Sequence, residues 1–256
     1  MSEEPLLYRV ENNVAYFTIN REAQRNAINQ ETINLFLKYL DKADADEAVR
    51  VILITGSGEK AFCSGADLGA APGGEIQAGF QQYAQLLKRL AGNSKPVVAR
   101  VNGYCLAGGM GLMLACDIAI ARHDAKFGTP EINVGLWPMM IGALIYRNVL
   151  RKKAMEMVLL GERFGAERAL EIGLITRVAP PQNLDKEVDS ILENLTEKSP
   201  IGMKIGKEAF YAMADMPFEK AVDFLSGKIA EVAATEDARE GITAFIEKRK
   251  PVFKGK

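Results

Sequence analysis

The sequence predicts an α/β fold with a parallel sheet, followed by a helical segment. Three observations carry this. The runs VRVILITG (residues 49–56) and PVVARVNG (96–103) are short, β-branched and end in glycine, as parallel strands covered on both faces do. Amphipathic helical stretches lie between such runs, the pattern of strand–helix–strand units. From about residue 138 the strand signal fades and helical patterns take over.

The elements follow in order. LLYRVENNVAYFTI (6–19) alternates apolar and polar residues on both sides of Glu11-Asn12-Asn13, which predicts a hairpin. Residues 30–44 put Ile33, Phe36, Leu37, Leu40 and Ala43 on one stripe, an amphipathic helix. A buried strand over 49–56, a helix over 79–91, a second strand over 96–103 and a third at DIAIA (117–121) come next. Helical patterns then occupy 138–160, 166–172, 184–197, 200–214, 217–234 and 236–249, punctuated by Pro180-Pro181 and Ser199-Pro200. The strand at Val51–Thr55 leads through Gly56 to CSGAD (63–67), and that at Val97–Val101 leads through Gly103 to LAGGMG (106–111). Strand, glycine turn and small-residue run thus recur, too loosely for periodicity alone to prove a repeat.

Composition narrows the function classes. With 32 basic and 33 acidic residues among 256, the chain lacks the basic excess of a nucleic-acid binder. One histidine, His123, cannot build a multi-histidine metal site. Cys63, Cys105 and Cys116 have no C-x-x-C spacing, as expected of reduced thiols rather than a disulfide framework. The acidic start MSEEPLLYRV is unlike a secretory signal, and no apolar run reaches membrane-span length. A soluble, cytoplasmic protein is expected.

CLAGGMGLMLACD (105–117) sets three glycines, Gly108, Gly109 and Gly111, in an apolar helix-like stretch, where each costs about 1 kcal/mol relative to alanine. Such glycines serve tight helix packing, a phosphate cradle, or an oxyanion hole of backbone N–H groups. The two standard phosphate motifs are not matched: Gly56-Ser57-Gly58 has no third glycine at the required spacing.

AFCSGADL (61–68), VNGYCLAGGMGLMLACDIAIA (101–121), FGTPEINVGL (127–136) and AFIEKRKPVF (244–253) together resemble the crotonase, or enoyl-CoA hydratase/isomerase, superfamily, over nearly the whole chain. The resemblance implies a spiral of ββα repeats over residues 1–194 holding an acyl-CoA site, and a helical oligomerisation segment over 195–256. It implies an oxyanion hole from the N–H groups of Ala66 and Gly108, and a CoA- and acyl-binding set of Arg25, Lys60, Ala61, Phe62, Asp67, Leu68, Trp137, Phe245 and Lys248. Phe245 and Lys248 would reach a neighbouring subunit's site. An acyl-CoA thioester is the implied partner, with homotrimers or dimers of trimers, no nucleic acid or membrane, and no cofactor beyond the substrate's own CoA.

Three departures from the family pattern bear on the site. Family hydratases carry two glutamates; the second is present as Glu131, but the first position is Gly111. Asp67, Asp117 and Glu156 are the nearby carboxylates, with Asp67 expected as a turn residue and Asp117 as a structural one. LWPMM (136–140) replaces a glycine-rich stretch, so Trp137, Met139 and Met140 either narrow the acyl pocket or belong to the core. A lysine common after the GAD turn is Gly69 here. One carboxylate suits proton transfer better than water addition, which favours 3,2 double-bond isomerisation over hydration. The competing expectations are an acyl-CoA binder without catalysis, and a serine hydrolase built on Ser64 and His123, which lacks the G-x-S-x-G elbow.

Overall fold

The computed structural model describes residues 4–67 and 76–256. The chain opens with strands β1 (Leu6–Glu11) and β2 (Val14–Ile19), paired antiparallel as the alternation predicts. Asn12 and Asn13 both take positive φ, 49° and 64°, the requirement of a two-residue turn whose twist matches its strands. Helix α1 (Gln30–Ala45) starts where the Asn29 side chain accepts a hydrogen bond from Thr32 N at 2.9 Å, one of the helix's otherwise unmatched donors. It buries Ile33, Phe36, Leu40 and Ala43.

Three consecutive segments then share one plan. Strand β3 (Val51–Gly56) is followed by β4 (Ala61–Cys63) and α2 (Ile76–Ala91). Strand β5 (Val97–Val101) is followed by β6 (Tyr104–Leu106) and α3 (Gly108–Leu114). Strand β7 (Ile118–Arg122) is followed by β8 (Lys126–Gly128), a short 3₁₀ segment (Pro130–Val134) and α4 (Met139–Asn148). The chain continues through α5 (Arg151–Leu160), β9 (Phe164–Gly165), α6 (Ala166–Glu171), β10 (Arg177–Ala179), α7 (Leu184–Thr196), α8 (Pro200–Met213), α9 (Phe218–Ala233) and α10 (Glu236–Ile246).

Among the described residues one sheet runs β1-β2-β3-β5-β7-β10 and another β4-β6-β8-β9. The first strand of each repeat enters the large sheet and the second enters the small one, all in parallel. The loose recurrence in sequence is thus a real ββα spiral. Its turns are tight: a Cβ on Gly56 would lie 2.4 Å from Ala61 O, and one on Gly103 would lie 2.3 Å from Lys60 O. Buried Asn102 ties successive turns together, its amide donating to Gly56 O at 3.0 Å, Gly58 O at 2.7 Å and Ala61 O at 3.2 Å.

The large sheet is covered on both faces. Val51, Leu53, Val98 and Ile120 face Leu184, Val188 and Leu192 of α7, while Ile52, Ile54, Val97 and Ala99 face the main core. Two expectations are corrected. The strand signal does not end at residue 138: β9 and β10 are two and three residues long, below the length at which alternation registers. The helical stretch 138–160 is two helices, separated where Val149 turns to extended φ and ψ of −119° and 137°.

Candidate active site

Parallel strands deliver their C-terminal ends to one edge of a sheet, the usual place for a site in α/β architectures. Here Cys63 of β4 stands opposite Cys105 of β6, and Cys105 and Leu106 stand opposite Phe127 and Gly128 of β8. The three strands therefore deliver the segments that hold Ala66, Gly108 and Glu131 to one edge of the small sheet.

Each turn is held by backbone hydrogen bonds. After β4, Gly65 takes a φ of 111°, and Ile28 brackets the turn: Ile28 N donates to Gly65 O and Asp67 N to Ile28 O, both at 2.9 Å. The Asp67 carboxylate pairs with the Arg21 guanidinium at 2.8 Å, both half-buried. After β6, Ala107 N donates to Gly128 O at 3.0 Å, and Ala107 adopts φ 48° and ψ −126°, a region that strains an L-residue and marks functional turns. The two turns touch: a Cβ on Gly65 would come within 2.9 Å of Ala107 Cβ, and one on Gly108 would lie 3.7 Å from Ala66 N. Gly108 is the first residue of α3, so its N–H has no partner within the helix. Among the described hydrogen bonds none engages the N–H of Ala66.

The three glycines of the opening stretch do different work. A Cβ on Gly109 would sit 2.1 Å from Cys63 O, and one on Gly111 would sit 2.4 Å from both the Tyr83 hydroxyl and Ile141 Cγ2. At Gly109 the obstacle is backbone, so packing demands glycine; at Gly111 it is the tip of Tyr83 and a methyl of Ile141, which crowd the position. At Gly108 the nearest atom would be 3.5 Å away, so the protein's own packing makes no such demand there.

Glu131 follows β8 in the 3₁₀ segment opened by Pro130. Its Oε2 is buried and, among the described residues, meets no hydrogen-bond partner. Burial raises its proton affinity above the usual carboxylate range, offset in part by a backbone hydrogen bond. The carboxylates that could have joined it are engaged elsewhere. Asp67 holds Arg21, Asp117 accepts Val97 N at 2.7 Å and pairs with Lys207, and Glu156 pairs with Arg168 at 3.0 Å.

The residues expected to contact the ligand fall in different surroundings. Phe62 is fully buried in the core, and Ala61 is buried with its carbonyl taken by Asn26 and Asn102. Asp67 serves its loop, through Arg21. Trp137 and Met139 are exposed, which removes them from the core, while Met140 packs against it. Arg25 is brought to the edge of the site, its carbonyl accepting Ser64 N at 3.1 Å. Lys60 is exposed at the opposite, N-terminal end of β4. Phe245 and Lys248 are exposed at the end of α10, and within one chain no described contact joins them to the three turns. Leu68 lies outside the described residues, as does Gly69. Ser64 and His123 form no pair: the Ser64 hydroxyl faces Gln24 O at 3.4 Å, and His123 lies 3.8 Å from Glu167.

Sequence reasoning missed Tyr83, Ile141 and Arg21. Tyr83, Leu86, Leu87 and Leu90 share one helical face, so the tyrosine reads as ordinary core. Among the described residues no cluster of three or more His, Cys, Asp or Glu side chains could hold a metal ion, and no helix is long and apolar enough to cross a membrane.

The profile of the family described as Enoyl-CoA hydratase/isomerase matches residues 9–256. The chain belongs to the enoyl-CoA hydratase/isomerase family. It is a crotonase-superfamily enzyme, a hydratase or an isomerase. Among its relatives, this family member is 33% identical to the (E)-benzylidenesuccinyl-CoA hydratase of Thauera aromatica, over 98% of this chain and 99% of that protein. It is 34% identical to the 2,3-dehydroadipyl-CoA hydratase of Escherichia coli over the whole of both chains. The crystal structure of an enoyl-CoA hydratase from Mycobacterium smegmatis superposes with a TM-score of 0.93 at 34% identity, covering 98% of this chain and 99% of that one.

Proposed function

We propose that this enoyl-CoA hydratase/isomerase family member moves a double bond between the 3 and 2 positions of an enoyl-CoA thioester, with Glu131 as its single base. The observation that carries the reading is a carboxylate oxygen buried without a hydrogen-bond partner among the described residues, on the sheet edge that carries two adjoining turns, with the position of a second carboxylate filled by Gly111, Tyr83 and Ile141. The Glu131 carboxylate removes a proton from C2 of a 3-enoyl thioester. The electron pair moves into a dienolate whose negative charge falls on the thioester oxygen. The N–H groups of Ala66 and Gly108 hold that oxygen, the kind of stabilisation that grows as charge develops. The Glu131 carboxyl then returns the same proton to C4, giving the 2-enoyl thioester with no net proton gained or lost.

A second reading, hydration of a 2-enoyl thioester, is supported by the names of the relatives, which are hydratases. Assay against paired 3-enoyl and 2-enoyl thioesters of matched chain length separates the two. Interconversion without uptake of solvent oxygen supports isomerisation, and 3-hydroxyacyl product at comparable rate replaces it with hydration. Absence of either, with thioester bound, leaves a non-catalytic binder.

We also infer that residues 195–256 assemble this chain into trimers, singly or in pairs. Phe218, Val222 and Ile229 on α9 and Phe245 and Ile246 on α10 are exposed in the single chain, a concentration of apolar surface that monomers rarely carry. In that assembly Phe245 and Lys248 would lie at a neighbour's CoA site, and no cofactor is needed beyond the thioester.

A further inference from the structure

The Tyr83 side chain enters the candidate site from α2, an element to which the motif residues gave no role. Its ring is buried and its hydroxyl donates to Gly108 O. The same hydroxyl would be 2.4 Å from a Cβ at Gly111. Burial holds the phenol well above its usual range, and the Glu131 charge is among the neighbours that push it the same way, so the hydroxyl stays neutral and within electrostatic reach of Glu131.

These contacts meet at one problem. Gly108 carries a proposed oxyanion donor, and glycine is the residue whose backbone rotates most freely. An amide aimed at a developing charge is useful only if it is already aimed. A hydrogen bond on the Gly108 carbonyl restrains the peptide plane on one side of its Cα, and the strained Ala107 turn restrains the other.

We propose that Tyr83 is a positioning residue for the Gly108 amide, and that it takes the space of the missing second carboxylate, keeping the site's charge to Glu131 alone. The assignment rests on the reading of Gly108 as an oxyanion donor. A carboxylate at position 111 would repel the negative thioester oxygen and raise the proton affinity of Glu131 further. A neutral phenol does neither. Gly111 and Tyr83 are therefore one device: the absence of a side chain on α3 admits the hydroxyl from α2.

The test is Tyr83→Phe, which removes one oxygen and leaves the ring. On 3-enoyl-CoA we expect kcat to fall by roughly 10-fold to 100-fold, the range for a small misalignment at the reacting centre. KM should change less than about threefold, since the aligned amide acts mainly in the transition state. The acid limb of the pH–rate profile should stay in place, because Glu131 sets it. Independently of turnover, but-2-enoyl-CoA labelled with ¹³C at C1 should show a polarised carbonyl stretch when bound to the natural enzyme. That stretch should move back toward its solution frequency in Tyr83→Phe. Unchanged kcat and unchanged carbonyl frequency overturn the proposal, as does a fall in affinity alone. If Glu131→Gln retains full turnover, the reading of the base fails while the carbonyl frequency still decides Tyr83; a carbonyl unpolarised in the natural enzyme overturns both the oxyanion reading and this one.

Discussion

Gly111 on α3 and Ile141 on α4 face each other so closely that a methyl group on the glycine would lie 2.4 Å from Ile141 Cγ2. The place where the family's hydratases carry a carboxylate is closed from two sides in this chain, by Ile141 and by Tyr83. Gly111→Glu is expected to lower stability and to leave hydration no faster, because overpacking costs about 1–3 kcal/mol. Tyr83→Phe and Ile141→Ala remove the two atoms that crowd position 111, so Gly111→Glu should cost less stability when added to that pair than when added to the natural chain. Thermal unfolding of the single, double and triple variants measures this; an equal drop in Tm on both backgrounds would mean that these two atoms do not set the cost.

Gly108 and Gly109 are adjacent yet should respond in opposite ways. Gly109→Ala drives a Cβ to within 2.1 Å of the Cys63 carbonyl oxygen, and is expected to cost about 1–3 kcal/mol by overpacking. Gly108→Ala meets nothing nearer than 3.5 Å, so the Tm should hold while turnover falls, the new methyl standing beside the thioester oxygen. Paired melting curves and kcat/KM values check both halves.

The pH response of Glu131 follows from its burial. A base must be ionised to accept a proton, and burial raises its proton affinity, so activity should rise with pH along a limb centred above the ordinary glutamate range. Glu131→Gln should abolish turnover and leave thioester binding in place. For stability the sign runs the other way: the folded chain holds this proton more tightly than the unfolded chain. The contribution is therefore fully present below the unfolded value, about 4.3 for glutamate, and is lost as pH rises through the higher folded value. Glu131→Gln should thus raise Tm at neutral pH and not at pH 3.5, as differential scanning calorimetry would record.

Arg21 and Asp67 brace the turn that carries Ala66, at 2.8 Å. Arg21→Met leaves a half-buried carboxylate without its cation, and should cost about 1–3 kcal/mol. The Ala66 turn would loosen, so kcat should fall more than KM rises. If steady-state kinetics were unchanged while Tm dropped, the pair would serve the fold only.

The hairpin, α1, the β3 and β5 strands and the C-terminal helices were legible because each holds a local pattern over five or more residues. The four motifs carried the family, since glycine and small residues at fixed spacing have few other uses. The burial of Phe62 and Ala61 was not legible, because a motif does not say which face of a three-residue strand points inward. Here Phe62 points into the core. Strand β10 was missed for its length, and Trp137 could not be assigned to core or surface from sequence.

The sequence by itself determined the α/β class, a loose recurrence of strand, glycine turn and small-residue run, the single glutamate in the P-E-x-x-x-G segment and the glycine in place of its partner. Those are matters of local periodicity and residue identity. Only the tertiary structure decided that the hydroxyl of Tyr83, 25 residues before Gly108, meets the Gly108 carbonyl, and that Gly109 and Gly111 answer to packing while Gly108 does not. Contacts between strand ends and helices far apart in the chain depend on register and on side-chain volume in three dimensions, and neither leaves a pattern along the chain.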